Sequence, residues 1–77
     1  MLNVDLEVDA RGLICPLPIL RAKKGINTLN SGQVLKIIAT DPGSLKDLEA
    51  FCKQTGNELV SSGEENGKFA FLIKKAA

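Results

Sequence analysis

The sequence predicts a two-layer α/β fold whose elements follow in the order β-α-β-α-β-β. Three observations predict it. Segments of alternating apolar residues, typical of strands, are separated by two segments with helical periodicity. The first strand alternates between apolar and polar residues, so one face of its sheet contacts water and helices cover only the other face. The Asn66-Gly67 pair is a strong hairpin signal and connects the last two strands.

The first strand and the first helix are predicted from their different periodicities. In the strand, apolar and polar positions alternate: Val4, Leu6 and Val8 against Asn3, Asp5, Glu7 and Asp9. A helix from about Pro16 to Leu29 turns one arc toward the sheet: Ile19, Ala22, Ile26 and Leu29. Its outer arc carries Leu17, Arg21, Lys24 and Thr28, with Leu20 between the arcs and Lys23 at the core boundary. Asn30-Ser31-Gly32 ends this helix, with Gly32 in a left-handed conformation.

In the second half of the chain, the sequence pattern predicts a central strand, a helix and a hairpin. Val34 to Thr40 is more apolar than the first strand and is therefore expected at the centre of the sheet. The second helix begins at Asp41-Pro42 or, through a capping box of Ser44 and Asp47, about one turn later. Its apolar arc contains Leu45, Leu48, Phe51, Cys52 and Thr55, and Gly56 closes it. Strands from Glu58 to about Ser62 and from Lys68 to Lys74 follow, the latter with Phe69, Phe71 and Ile73 alternating against Ala70 and Leu72.

Composition excludes several classes of function. The 77 residues suffice for one small domain, and a net charge of +1 does not favour nucleic acid. Two cysteines do not make the disulfide framework of a small secreted domain. The absence of histidine excludes a Cys–His nucleophile pair and a His-containing metal site. Without a visible signal segment or membrane span, we expect a cytoplasmic protein.

Cys15 is the candidate nucleophile. Proline favours the first helical position, so Pro16 is expected there and Cys15 at the N-cap. The positive end of the helix dipole favours the thiolate, which is the reactive form of cysteine. Nearby in sequence are the cations Arg11, Arg21, Lys23 and Lys24. The alternative is a core thiol in a loop, whereas Cys52, on the apolar arc of the second helix, is expected to be a small buried hydrophobe.

The residue at position 18 is proline, so Cys15 is not half of a C-x-x-C pair. A dithiol switch needs the second thiol to release mixed disulfides. A sulfur atom placed on Cys15 would meet no resolving thiol close in sequence. This pattern favours a carrier that holds sulfur until an outside acceptor takes it.

The run Asp9-x-Arg11-Gly12-Leu13-x-Cys15-Pro16-x-Pro18 resembles the signature of the TusA/SirA family of sulfur carriers. Gly32-Gln33, residues 39–43 and residues 55–59 match the same family in the same order. The resemblance covers nearly the whole chain and implies a single TusA-like domain over residues 1–77. It also implies a two-layer sandwich with a mixed four-stranded sheet and two helices on one face.

The resemblance further implies a sulfurtransferase in which Cys15 accepts sulfane sulfur as a persulfide and passes it to a partner. Asp9, Arg11, Gly12, Pro16 and Pro18 would be the supporting motif residues. The expected partners are a donor protein of the cysteine desulfurase or rhodanese type and an acceptor protein, with no cofactor, metal or membrane and with a monomeric chain. Such carriers serve tRNA thiolation, molybdenum cofactor biosynthesis or dissimilatory sulfur oxidation.

Leu17 departs from the family pattern, because the residue between the prolines is often acidic in members that serve tRNA thiolation. Leu17 lies on the outer arc with Arg21 and Lys24, and these three residues are a candidate docking face for a partner protein. The alternatives are a stray surface leucine and a merely solvated basic face. The chain has three Phe and no Tyr or Trp, so a stacking platform for nucleic acid is not expected.

A second function class is compatible with the same fold. The fold resembles the C-terminal domain of a bacterial translation initiation factor, which binds ribosomal RNA. A non-catalytic binding module for RNA or protein therefore remains the alternative to a sulfur carrier, since fold alone does not decide function.

Overall fold

The computed structural model describes residues 4–14 and 16–76. Its elements are β1 (Leu6–Ala10), α1 (Leu17–Asn27), β2 (Val34–Ala39), α2 (Ser44–Thr55), β3 (Glu58–Glu65) and β4 (Lys68–Lys74). This is the predicted order, and it confirms the α/β class. The expected positions of Asn3 in the first strand and of Cys15 at the helix cap lie outside the described residues.

The four strands form one mixed sheet in the order β1-β2-β4-β3. β1 runs parallel to β2, and β4 is antiparallel to both β2 and β3. A parallel pair needs a crossover, and α1 supplies it between β1 and β2. β2 is hydrogen-bonded on both sides, as its apolar sequence predicts.

Both helices pack on one face of the sheet, and the core lies between the two layers. The buried cluster consists of Ala10, Ala22, Ile26, Leu29, Leu35, Ile37, Ala39, Leu48, Phe51, Cys52, Phe71 and Ile73. Alternate residues of β2 and β4, such as Lys36 and Leu72, lie on the opposite face and are only half-buried. The two-layer prediction is therefore confirmed.

Helix α1 is shorter than predicted at both ends. It begins at Leu17, with Pro16 as the N-cap, so Pro16 is not the first helical residue and the N-cap is not at position 15 as predicted. Pro18 occupies the second helical position, where its missing N–H removes no helical hydrogen bond. The helix ends at Asn27 because the next residues form a tighter turn, in which the Leu29 N–H donates to the Ile26 carbonyl at 3.0 Å. The Lys75 Nζ then donates to the Leu29 carbonyl at 2.6 Å.

Helix α2 begins at Ser44, between the two predicted starts. Gly43 is the N-cap and offers no side-chain hydrogen bond. The Asp41 Oδ1 accepts a weak hydrogen bond from the Gly43 N–H at 3.4 Å. The predicted capping box is not formed, because the buried Ser44 Oγ has no hydrogen-bond partner among the described residues. At the other end, Gly56 closes the helix with φ +79°, as predicted.

Some predicted core and strand positions differ in the structure. Leu45 and Thr55 are exposed, because the buried side of α2 is defined by Ser44, Leu48 and Phe51, which leaves Leu45 at its margin, and because Thr55 is the last residue of the helix. Val4 precedes β1 and is 42% exposed. β3 continues to Glu65, past the predicted end at Ser62, and carries a bulge between Leu59 and Ser61.

The predicted hairpin between β3 and β4 is confirmed. Asn66 and Gly67 have φ values of +52° and +77°, as a type I′ turn requires. Neither described helix is long and apolar enough to cross a membrane.

Candidate functional site

Asp9, Arg11 and Gly12 of the predicted motif lie at the carboxyl end of β1, next to the carboxyl end of β2. Because these strands are parallel and Ala10 pairs with Ala39, the loops that follow them leave from the same edge. The loop after β1 leads into α1, and the loop after β2 leads into α2. The Gly12 N–H donates to the Thr40 Oγ1 at 2.9 Å and so connects the two loops.

A tight turn at Ala10–Leu13 redirects the chain from β1 toward α1. The Leu13 N–H donates to the Ala10 carbonyl at 3.3 Å, and Gly12, the third residue of the turn, has φ +79°. A Cβ on Gly12 would meet nothing within 4 Å, so glycine is required for its backbone conformation and not for space. The sequence-based prediction of a turn at Gly12 is confirmed.

The backbone then enters α1 through a second turn. Leu13 packs against the core, whereas Ile14 is 70% exposed. The Leu17 N–H donates to the Ile14 carbonyl at 2.9 Å, and the Leu20 N–H donates to the Pro16 carbonyl at 3.2 Å. Cys15 lies between these residues in the chain and outside the described residues, so its role as nucleophile stays a prediction from the sequence.

Asp9 and Arg11 form a bidentate ion pair beside this turn. The Arg11 Nε donates to the Asp9 Oδ1 and the Nη2 to the Oδ2, each at 2.9 Å, while the Arg11 backbone N–H donates to the Oδ1 at 3.0 Å. These hydrogen bonds, the side-chain ones first, lower the pKa of Asp9 to about 2. The same pairing raises the pKa of Arg11.

This ion pair changes the role that the sequence suggested for Arg11. Arg11 was expected among the cations that favour a Cys15 thiolate, but its guanidinium is held by Asp9, and the two charges largely offset each other. Arg21 is near enough for its positive charge to help lower the pKa of Asp9. The structure thus brings Arg21 of α1 toward the Asp9–Arg11 pair, a proximity that the sequence did not show.

The predicted docking residues are exposed, as the helical periodicity indicated. Leu17 is 43% exposed, and Arg21 and Lys24 also face solvent. Three more apolar side chains are exposed in the segments that begin the two helices, and we call them, with Leu17, the apolar rim: Ile14, Leu17, Leu20 and Leu45. Sequence periodicity missed Leu45, because it assigned that residue to the buried arc of α2.

Cys52 is buried in the middle of α2, with 3% of its surface exposed. It is a free thiol, and burial raises its pKa, which disfavours the thiolate. The prediction that Cys52 is a buried hydrophobe is confirmed. Cys52 is therefore a poor nucleophile.

Two other features of the described residues bear on ligand binding. Among residues 4–14 and 16–76, no three His, Cys, Asp or Glu side chains lie close enough to hold a metal ion. A shallow hollow of about 650 Å³ lies on the uncovered face of the sheet, between residues such as Lys36, Ile38 and Leu72. None of the predicted site residues that the structure describes lines this hollow.

Comparison with known proteins agrees with this geometry. Residues 6–75 match the family model described as sulfurtransferase TusA. The chain is 68% identical over 76 residues to the sulfur carrier protein TusA of Allochromatium vinosum, covering 99% of this chain and 100% of that protein. It is 43% identical over 74 residues to the sulfur carrier protein TusA of Pseudomonas syringae, covering 96% of this chain and 88% of the relative.

A solved structure shares the fold. The crystal structure of a SirA-like protein from Desulfitobacterium hafniense superposes with a TM-score of 0.82 at 26% identity, covering 94% of this chain and 99% of that one. The matched family, the two relatives and the shared fold agree with the motif around Gly12 and Pro16. The chain therefore belongs to the TusA family of sulfur carriers.

Proposed function

We propose that this sulfur carrier holds sulfane sulfur as a persulfide on Cys15 and relays it from a donor protein to an acceptor protein. The observation that carries the proposal is the match, over the full length of the relative, to a sulfur carrier. The chain has two cysteines, and the burial of Cys52 makes it inaccessible to a partner protein. This supports the assignment of Cys15 as the nucleophile. The donor is of the cysteine desulfurase or rhodanese type.

The proposed transfer is a thiol–persulfide exchange. The Cys15 thiolate attacks the outer sulfur of a donor persulfide, the donor's S–S bond breaks, and a new S–S bond forms on Cys15. The donor sulfur leaves as a thiolate and the proton stays with the transferred persulfide, so the exchange involves no net oxidation. In the second exchange, a thiolate of the acceptor attacks the outer sulfur of the Cys15 persulfide, and the Cys15 sulfur leaves as a thiolate.

The start of α1 supports a thiolate at this place in the chain. Among the described residues no side-chain hydrogen bond caps the helix, and its first turn contains no acidic residue that would offset the positive end of the dipole. A helix N-terminus stabilises an anion by about 0.3–1 kcal/mol at an exposed site. The exposed cations Arg21, Lys23 and Lys24 act in the same direction, although solvent screens each of them.

Storage of the persulfide follows from the missing second thiol. Position 18 is a buried proline in the first turn of α1, where a dithiol protein would place its resolving cysteine. Without that thiol, a persulfide on Cys15 is not converted to a local disulfide. The reducing cytoplasm, where thiols stay free, is the compartment that suits this chemistry.

The apolar rim with Arg21 and Lys24 is the proposed docking face for both protein partners. An apolar centre beside exposed cations fits a protein surface with an apolar patch and acidic neighbours.

A direct nucleic-acid role is not supported, since Phe51 and Phe71 are buried and Phe69 is partly buried, which leaves no aromatic stacking platform. The carrier is proposed to act as a monomer.

Intact mass spectrometry tests the proposal. Wild-type protein, Cys15→Ser and Cys52→Ala are each incubated with a persulfide-bearing cysteine desulfurase and then with dithiothreitol. We expect wild type and Cys52→Ala to gain one sulfur atom that dithiothreitol removes, and Cys15→Ser to gain none. Loading that needs Cys52 would reverse the assignment of the nucleophile, and no loading of any variant would favour a non-catalytic binding module.

The pathway is decided by the acceptor. Tests with loaded carrier would use acceptor proteins from tRNA thiolation, molybdenum cofactor biosynthesis and dissimilatory sulfur oxidation. Transfer to one of them, with little transfer to the other two, would assign the pathway.

A further inference from the structure

We propose that Thr40 is a positioning residue, whose hydroxyl fixes the loop of residues 11–14 and thereby sets the reactivity of the Cys15 thiol. The inference rests on the proposed function of Cys15 and adds a residue from a different loop. Thr40 lies 28 positions from Gly12 in sequence, in residues 39–43, the segment after β2 that also resembles the family and to which no role was assigned from the sequence.

The hydrogen bond between Gly12 and Thr40 links the two segments beyond the point where the backbone hydrogen bonds between β1 and β2 end. The parallel pairing of β1 and β2 ends at Ala10 and Ala39. Past that point the chain turns, and Gly12 adopts φ +79°. Its N–H donates to the Thr40 hydroxyl at 2.9 Å, so the side chain that follows β2 continues the link between the two segments.

This hydrogen bond joins the loop to a different part of the fold. The other hydrogen bonds described above for the loop are local, since Leu13 bonds to Ala10, Leu17 to Ile14 and Arg11 to Asp9. The bond from Gly12 instead reaches the end of β2, which is held by a strand on each side. A β-branched threonine has few χ1 rotamers and is well suited to hold an acceptor in place.

Thr40 is not required for the start of α2. Gly43 is the N-cap of that helix, and its N–H bonds to the Asp41 carboxylate. Loss of the Thr40 hydroxyl is therefore expected to release the loop while leaving the helix intact. The Gly12 N–H is exposed and can bond to water instead, so the main effect is on loop position rather than on folding.

The experiment compares Thr40→Val, which keeps the shape but loses the acceptor, with Thr40→Ser, which keeps the acceptor. The matched control is Thr55→Val, which loses a hydroxyl bond of 2.7 Å to the Phe51 carbonyl in the last turn of α2. Three quantities are measured for each protein: the exchange rate of the Gly12 amide by NMR, the rate of Cys15 alkylation against pH, and the thermal unfolding midpoint.

We expect the Gly12 amide to exchange faster in Thr40→Val. Alkylation of Cys15 at neutral pH should slow by about two- to tenfold, the factor that corresponds to one net hydrogen bond. Thr40→Ser should restore most of the wild-type rate, and Thr55→Val should leave the alkylation profile unchanged even if its unfolding midpoint falls.

Several results would overturn the proposal. An unprotected Gly12 amide in the wild type would show that the bond does not persist in solution. An alkylation profile of Thr40→Val equal to or faster than wild type would exclude positioning, as would equal slowing in Thr40→Ser or Thr55→Val. Failure of the wild type to accept sulfur would instead reject the proposed function, and the amide and alkylation measurements would still decide the role of Thr40.

Discussion

Gly25 of α1 lies directly above Leu35 of β2, and a Cβ built on Gly25 would be 2.5 Å from the Leu35 Cδ1. The same Cβ would be 3.2 Å from Val8 and 3.3 Å from Leu6. Glycine at this position therefore lets the helix approach β1 and β2 closely. The core contact, and not helix propensity, explains a glycine inside α1.

Gly25→Ala should destabilise the protein. Overpacking of a core costs about 1–3 kcal/mol. Alanine regains about 1 kcal/mol in helix propensity. We expect a net loss of up to about 2 kcal/mol in the free energy of unfolding, measured by urea titration. Gly63→Ala is the control, since a Cβ there meets nothing within 4 Å. A Gly25→Ala protein as stable as wild type would mean that α1 can shift away from the sheet at no cost.

Ser44→Ala should stabilise the protein. Ser44 is 1% exposed in the first turn of α2, and its Oγ has no hydrogen-bond partner among the described residues. A buried, unsatisfied hydroxyl costs about 1–3 kcal/mol, and removing it should return a part of that, on the order of 1 kcal/mol. Urea titration of Ser44→Ala against the exposed control Ser62→Ala measures the gain. A loss of stability would show that the hydroxyl has a partner in solution.

The Asp9–Arg11 pair should make stability depend on pH in the acid range. The folded pKa of Asp9, about 2, lies below that of an unfolded aspartate, about 3.9. The pair therefore contributes its full stabilisation above about pH 5, and this contribution is lost progressively as the pH falls through the folded pKa of about 2. Because both groups are exposed, the contribution is small, and NMR titration of the Asp9 carboxylate is the sharper measurement.

Arg11→Gln, compared with Arg21→Gln, distinguishes hydrogen bonding from general charge as the cause of the lowered Asp9 pKa. It removes the charge and the bidentate geometry, so the Asp9 midpoint should rise toward the usual value. Arg21→Gln should move the midpoint much less, because Arg21 acts only through its charge. Equal shifts in the two variants would show that general charge, and not the fork of hydrogen bonds, lowers the pKa of Asp9.

The order of elements was predictable because each has a local signal. Alternation marks β1 and β4, Asn66-Gly67 marks the hairpin, and Gly56 marks the end of α2. Burial of Cys52 followed from helical periodicity. These features depend on residues close together in sequence, where spacing and turn chemistry determine the outcome.

The features that were not predicted from the sequence depend on contacts between residues that are far apart in the chain. The early end of α1 is accompanied by a bond from Lys75 to the Leu29 carbonyl, 46 residues away. The bond between Gly12 and Thr40 depends on β1 and β2 ending at the same edge of the sheet. The exposure of Leu45 depends on which side of α2 faces the sheet, and the burial of Ser44 in the same turn shows that this side differs from the arc that periodicity predicted.

The basic residues of the docking face should control transfer between proteins. Arg21→Glu with Lys24→Glu reverses two exposed charges of α1, and steering toward an acidic partner surface should be lost. We expect sulfur transfer from a donor protein to slow by about tenfold or more at low salt, and the difference from wild type to shrink as salt rises. Loading of Cys15 by inorganic polysulfide should change much less, because polysulfide needs no docking face.

The matched control for this pair is Lys53→Glu with Lys74→Glu, which makes the same change in net charge. Lys53 lies in the last turn of α2 and Lys74 at the end of β4, and both are exposed. If this control slows protein-to-protein transfer as much as the Arg21 and Lys24 reversal, net charge rather than a docking face governs the rate. If the Arg21 and Lys24 reversal slows polysulfide loading equally, the cations act on the thiolate of Cys15 and the docking assignment is wrong.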